Sequence, residues 1–120
     1  MPENLEIRTK DFSIKTISLI RDIGTNFLNQ NIISQLLKSS TSVGANYREA
    51  LGAVSKNDFR NKIHICRKEI QETKYWIELL SETNPNKKDE LRKLWKESHE
   101  LTLIFSKISG TLKKNLLKDN

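Results

Sequence analysis

The side chains in this sequence that could do chemistry are few, and their spacing argues against a catalytic or metal centre. His64 and Cys66 lie two residues apart, so on a helix they point in different directions. His99 has no histidine or cysteine three or four residues away, the spacing that sets two metal ligands on one helical face. No serine, histidine and carboxylate grouping can be assembled from local signals, and none of the 4 glycines sits in a loop that could cradle a phosphate. The paired Glu-x-x-His segments that hold metals inside helical bundles are missing as well. Cys66 falls on an apolar seam, where a thiol is hard to ionise, and reads as a small buried filler rather than a nucleophile. The expectation is a non-enzymatic protein with no cofactor, no metal and no small-molecule substrate.

Charge offers more. Lys and Arg total 21 against 15 Asp and Glu, a net charge of +6 that favours polyanionic partners. The excess is concentrated between Asn31 and Lys68, where Lys38, Arg48, Lys56, Arg60, Lys62, Arg67 and Lys68 face only Glu49 and Asp58. Within and just beyond that stretch Lys56, Arg60, Arg67 and Lys74 fall at spacings of four, seven and seven. On a helix this makes a row able to follow a phosphate backbone, a candidate nucleic-acid-binding site with His64 nearby; the plain alternative is a solvated charged face.

Four amphipathic segments must position these residues. The first is expected over 11–29, capped by Asp11, with Ile17, Ile20, Ile23 and Phe27 on its apolar side. The second, over 32–51, carries Ile33, Leu36, Leu37, Val43, Tyr47, Ala50 and Leu51 and stops at Gly52. Gly24 and Gly44 fall inside these helices, which suggests that another backbone passes close to each. The third, over 56–82, is capped by Ser55 with Asp58 and carries the strongest pattern, the seam Phe59, Ile63, Cys66, Ile70, Thr73, Ile77 and Leu80 at alternating steps of four and three. Asn84-Pro85 breaks it, and the fourth, over 87–114, carries Leu91, Leu94, Leu101, Ile104, Phe105, Ile108 and Leu112. Connections of a few residues force successive helices antiparallel, so the fold class is all-α: an up-down-up-down four-helix bundle, one domain over 1–120.

About 120° around the third helix from its seam lie Ile65, Trp76 and Leu79, with Glu69 and Glu72 among them. A second apolar stripe containing Trp suggests burial against another copy, a candidate oligomer interface; the alternative is a wide core with Trp76 at its rim. No apolar run approaches the ~20 residues that span a bilayer, and the amino end lacks a basic segment followed by an apolar one, so a cytoplasmic protein without membrane contact is expected. The lone Cys66 fits a reducing compartment.

Two stretches at fixed spacing, Gln35–Ala50 (QLLKSSTSVGANYREA) and Ser55–Phe59 (SKNDF) followed by Lys68–Leu80 (KEIQETKYWIELL), resemble the bacterial 23S ribosomal RNA intervening-sequence protein family. The sequence departs from many members at Gly44, where they carry Pro, and at Ala50, where they carry Gly. The resemblance implies a left-handed antiparallel bundle that assembles as a ring-like homopentamer and has no enzymatic activity. It extends to the accessory subunit of diversity-generating retroelements, which works with a reverse transcriptase and RNA, so RNA or a reverse-transcriptase-type partner is implied. Of the matching residues, Ser42, Asn46 and Glu49 fall within about 60° of one another beside the apolar stripe of the second helix, where they could meet Glu69 or Glu72. They are read as a structural polar motif that fixes register or oligomer state, with ligand binding as the alternative.

Overall fold

The first helix begins where an asparagine side chain can satisfy free backbone N–H groups. Asn4 Oδ1 accepts from the N–H groups of Glu6 and Ile7 at 3.0 and 3.3 Å, and helix α1 runs Leu5–Ile23. The chain, seen in a computed structural model that describes residues 4–119 and the side chains of 4–114, continues as α2 Gln30–Leu51, α3 Lys56–Thr83, a single 3₁₀ turn Pro85–Lys87, and α4 Lys88–Asp119. All described elements are helical.

The expected first helix was displaced along the chain. Asp11 is an exposed residue inside α1 rather than its cap. The buried stripe is Leu5, Thr9, Phe12 and Thr16, in which two threonines occupy core positions that an apolar pattern overlooks. At the other end Gly24 adopts φ 74°, a left-handed backbone favourable to glycine, and its N–H bonds the Ile20 carbonyl at 2.9 Å. Gly24 therefore ends α1 instead of lying within a helix, and Phe27 is left in the connecting turn, 89% exposed. Gly52 stops α2 as expected but at φ −96°, so its freedom for positive φ is not used. The bounds of α3 and the start of α4 lie within a residue of those expected, with Ser55 Oγ accepting from Asp58 N–H at 3.0 Å and Asn84-Pro85 separating the two helices, whereas α4 runs on to Asp119, past the expected end at 114.

Cross-helix bonds set the topology. Ser13 Oγ donates to the Ser40 carbonyl across α1 and α2. Ser39 Oγ and Thr73 Oγ1 share a hydrogen bond at 2.9 Å, and Cys66 Sγ donates to the Val43 carbonyl at 3.5 Å, pairing α2 with α3 in opposite directions. Lys74 with His99 and Glu78 with Trp95 do the same for α3 and α4, while Arg8 reaches Glu97 and closes α1 onto α4. The result is an up-down-up-down antiparallel four-helix bundle measuring 51 × 24 × 20 Å.

Helix α3 lies between α2 and α4, and its seam residues Ile63, Cys66, Ile70, Thr73, Ile77 and Leu80 are all buried. They pack with Phe12, Leu36, Val43, Leu91, Leu101 and Phe105, each large apolar side chain contributing about 1.5 to 3 kcal/mol on burial. Phe105 meets Tyr47 edge-on at 6.0 Å. The core also holds hydroxyl side chains, and Thr9, Thr16, Thr73 and Thr102 each donate to the carbonyl four residues earlier, so none of these four hydroxyls is stranded. Gly44 sits mid-helix, as expected, where an added Cβ would come within 3.3 Å of Thr9 Oγ1 and 3.6 Å of the Thr9 backbone. That close approach of α1 is the reason a side chain is missing there.

Candidate nucleic-acid interface

The basic row lies on the flank of α3 that faces α4. Lys56 is exposed, and Arg60, Arg67 and Lys74 are half-buried. Four cations elsewhere on the molecule are matched by carboxylates: Arg48 by Glu6, Lys62 by Glu49, Lys87 by Asp22, and Arg8 by Glu97 and Glu100. None of the four in the row makes an ion pair with any described residue. Arg60 donates to the neutral Asn57 Oδ1, and Arg67 Nε is enclosed without a hydrogen-bond partner. An enclosed guanidinium N–H with no acceptor keeps the cost of its desolvation.

Lys74 stands apart from the other three. Its ammonium donates to His99 Nδ1 at 2.9 Å and lies 4.9 Å from the centre of the Trp95 ring, an attraction of the ring's electron-rich face for a cation. His99 in turn stacks on Trp95 with ring centres 5.1 Å apart and planes 6° from parallel, and Trp95 Nε1 donates to Glu78 Oε2 at 2.9 Å. This cluster clamps α4 to α3 and turns Lys74 inward. The sequence pattern missed it, because periodicity within one helix does not say which residues of the next helix stand opposite. It also missed Lys88, Arg92 and Lys96, which line an α3–α4 groove beside Trp95; their four-residue spacing was the available signal.

The polar motif and the candidate oligomer interface share the opposite side, along α2 and α3. Lys62 donates to Glu49 Oε1 at 2.8 Å. Ser42 Oγ donates to the Lys38 carbonyl and Asn46 Nδ2 to the Ser42 carbonyl, both at 2.8 Å. Among the described residues no hydrogen bond joins the three to Glu69 or Glu72; Ser42 and Asn46 satisfy themselves on carbonyls of their own preceding turn, and Glu49 pairs with Lys62. On α3, Ile65, Glu69, Trp76 and Leu79 are half-buried and Glu72 is exposed. Trp76 packs on the rim of the core and edge-on to Tyr75 at 5.1 Å. Burial, then the nearby Glu72, push the Glu69 carboxyl above its usual range, against the pull of Lys68 and Lys38.

Nothing among the described residues gathers three metal-binding side chains. Cys66 is fully buried and its thiol is pushed up to about 12, chiefly by burial, which leaves it protonated and unreactive at neutral pH. No helix is long and apolar enough to cross a membrane among the described residues.

Comparison with known proteins places this geometry among relatives. Residues 4–112 match the family described as 23S rRNA-intervening sequence protein. The chain is similar to a protein of unknown function from the S23 ribosomal protein family of Bacteroides thetaiotaomicron, solved at 1.70 Å. The two are 31% identical, with a TM-score of 0.77 over 88% of this chain and 98% of that one. No curated protein matches the chain at a significant level.

Proposed function

The chain belongs to the 23S rRNA-intervening sequence protein family, and from that premise we propose that it is a non-enzymatic, self-associating helical scaffold that binds RNA through the basic flank of α3. The observation that carries this reading is the alignment of Lys56, Arg60 and Arg67 along one flank of α3, none of them in an ion pair with a described carboxylate and Arg67 Nε without a hydrogen-bond partner. An unmatched row keeps its field available to phosphates, and each neutralised phosphate releases counterions that drive association.

Self-association multiplies weak contacts. Several copies with their rows on one surface engage one strand many times, so modest affinity per row becomes firm retention. The apolar Ile65, Trp76 and Leu79 beside Glu69 and Glu72 are the surface proposed to meet the next copy, with Ser42, Asn46 and Glu49 at its edge. Sedimentation tests this half of the reading: an assembled species at micromolar concentration is expected, and a sharp monomer removes it.

The RNA half is tested by reversing Arg60 and Arg67 to Glu. The expected result is loss of RNA retention at low salt with helicity unchanged; unaltered retention shows that the row is only surface. A second reading, a protein-interaction module whose charge maintains solubility, draws on Ile7 and Ile14, seven residues apart on α1 and 57% and 52% exposed. Binding that is indifferent to ionic strength, or no RNA binding at all, favours that module.

A further inference from the structure

At the end of the bundle where α2 turns into α3, a cavity of about 550 Å³ opens beside the basic row. Leu51, Ala53 and Val54 form one wall, and Phe59 and Leu112 form the other. Lys56 and Arg60, the first two members of the row, complete the lining. Val54 is 94% exposed and Leu51 53% exposed, so apolar surface here stands open to solvent rather than closing on the core.

Its charge sets it apart from two other grooves on the molecule. The α3–α4 groove beside Trp95 sets Glu78 and Glu82 against Lys88, Arg92 and Lys96, and the α1–α4 groove sets Asp22, Glu90, Glu97 and Glu100 against Lys15, Lys93 and Lys96, so carboxylates offset much or all of the positive charge in each. No carboxylate lines the cavity at the α2–α3 turn, and neither of its cations is in an ion pair with a described residue, Arg60 donating only to the neutral Asn57. An apolar hollow with an aromatic side chain, rimmed by two cations whose charge no lining carboxylate offsets, suits a ligand that is flat and apolar in one part and anionic beside it.

We infer that this cavity receives an unstacked base of a single-stranded RNA, with Lys56 and Arg60 holding the flanking phosphates. The inference rests on the RNA reading of the row and deepens it by naming the form of the ligand. A paired base is held inside its duplex and cannot enter, whereas an unpaired one presents a face that stacks on an aromatic ring while the cationic groove tracks the backbone. The row then continues from the cavity along α3 through Arg67, so a strand with one base seated at the turn runs its phosphates past that residue.

The experiment measures binding of a fluorescently labelled unstructured RNA strand and of the matching duplex by anisotropy at low salt. The full chain is compared with Phe59→Leu, which keeps apolar bulk but removes the ring, and with Ala53→Trp, which fills the hollow. Far-UV circular dichroism checks the fold of each. The expected result is that each folded variant loses about tenfold in affinity for the single strand, the scale of one base stacked on an aromatic side chain, and binds duplex as the unaltered chain does. Unchanged single-strand affinity in both folded variants, or equal losses for strand and duplex, overturns the inference while leaving the row's role intact. A third arm uses an acidic peptide bearing phenylalanine; if it binds and the two variants weaken it while the strand is unaffected, the cavity belongs to a protein partner and the inference fails. Absence of any RNA binding by the unaltered chain overturns both the inference and the reading beneath it.

Discussion

Replacing Gly44 by valine tests the close contact of α1 with α2, on which the placement of the whole first helix depends. Glycine within a helix costs roughly 1 kcal/mol relative to alanine, so substitution there would stabilise if space allowed. An added Cβ meets Thr9 Oγ1 at 3.3 Å and Thr9 Cβ at 3.5 Å. That hydroxyl cannot swing aside freely, because it donates to the Leu5 carbonyl at 2.9 Å and the Glu6 carbonyl at 3.1 Å and is fully buried. Gly44→Ala therefore sits near break-even, its propensity gain of about 1 kcal/mol offset by a strained buried hydrogen bond of similar size. Gly44→Val adds two methyl groups to the same contact, and overpacking of about 1 to 3 kcal/mol exceeds its smaller propensity gain, for a net loss of about 2 kcal/mol. Urea unfolding followed by circular dichroism measures these values. In a Thr9→Ala background the valine penalty should fall by at least half, since the obstructing hydroxyl is gone. A Gly44→Val chain as stable as the parent, or a penalty that ignores Thr9→Ala, refutes the packing argument.

Asn29 is fully buried and joins two turns at one end of the bundle, its Nδ2 donating to the Gly24 carbonyl and to Asn84 Oδ1 while its Oδ1 accepts from Asn26 N–H. Asn29→Ala should cost about 2 kcal/mol in urea unfolding by stranding those groups, and adding Asn84→Ala should cost little more, because both act in one network. The Arg8 guanidinium holds the Glu97 carboxyl below its usual value of 4.5. The unfolded chain thus binds that proton more readily, and the stabilisation is present above pH 4.5 and lost as pH falls below it. Arg8→Met should flatten acid unfolding in that window, and an unaltered profile counts against the pair. Cys66, buried with its thiol pushed up to about 12, should resist thiol reagents in the native protein at pH 8 and react at once in denaturant; rapid native labelling would show that the α2–α3 contact opens.

The bundle was legible because three of its helices advertise themselves. The α3 seam at steps of four and three, the Ser55 cap and the Asn84-Pro85 break all lie where the pattern put them. Helix α1 was harder to read because Thr9 and Thr16 hold core positions and bond back to their own helix, so the buried face carries little hydropathy. The isoleucines toward its end then drew the expected boundary too far along the chain, past a glycine that is the true stop. In the candidate site, the alignment of Lys56, Arg60 and Arg67 follows from helical period alone. The inward turn of Lys74 depends on His99 and Trp95, one helix and two dozen residues away, which no single-helix pattern reveals. Likewise Ser42 and Asn46 look like cross-helix donors by position, but nearby carbonyls take their hydrogen bonds first.

The salt dependence of RNA binding tests the central claim most directly. With Lys74 engaged by His99, the row leaves Lys56, Arg60 and Arg67 for phosphates, so log affinity for a single strand should fall against log salt with a slope of about −2 per protomer, at roughly −0.7 for each phosphate neutralised. Arg60→Gln with Arg67→Gln should reduce that slope to about −0.7. A slope that is the same in the parent and the double variant would contradict the assignment of RNA binding to this flank of α3.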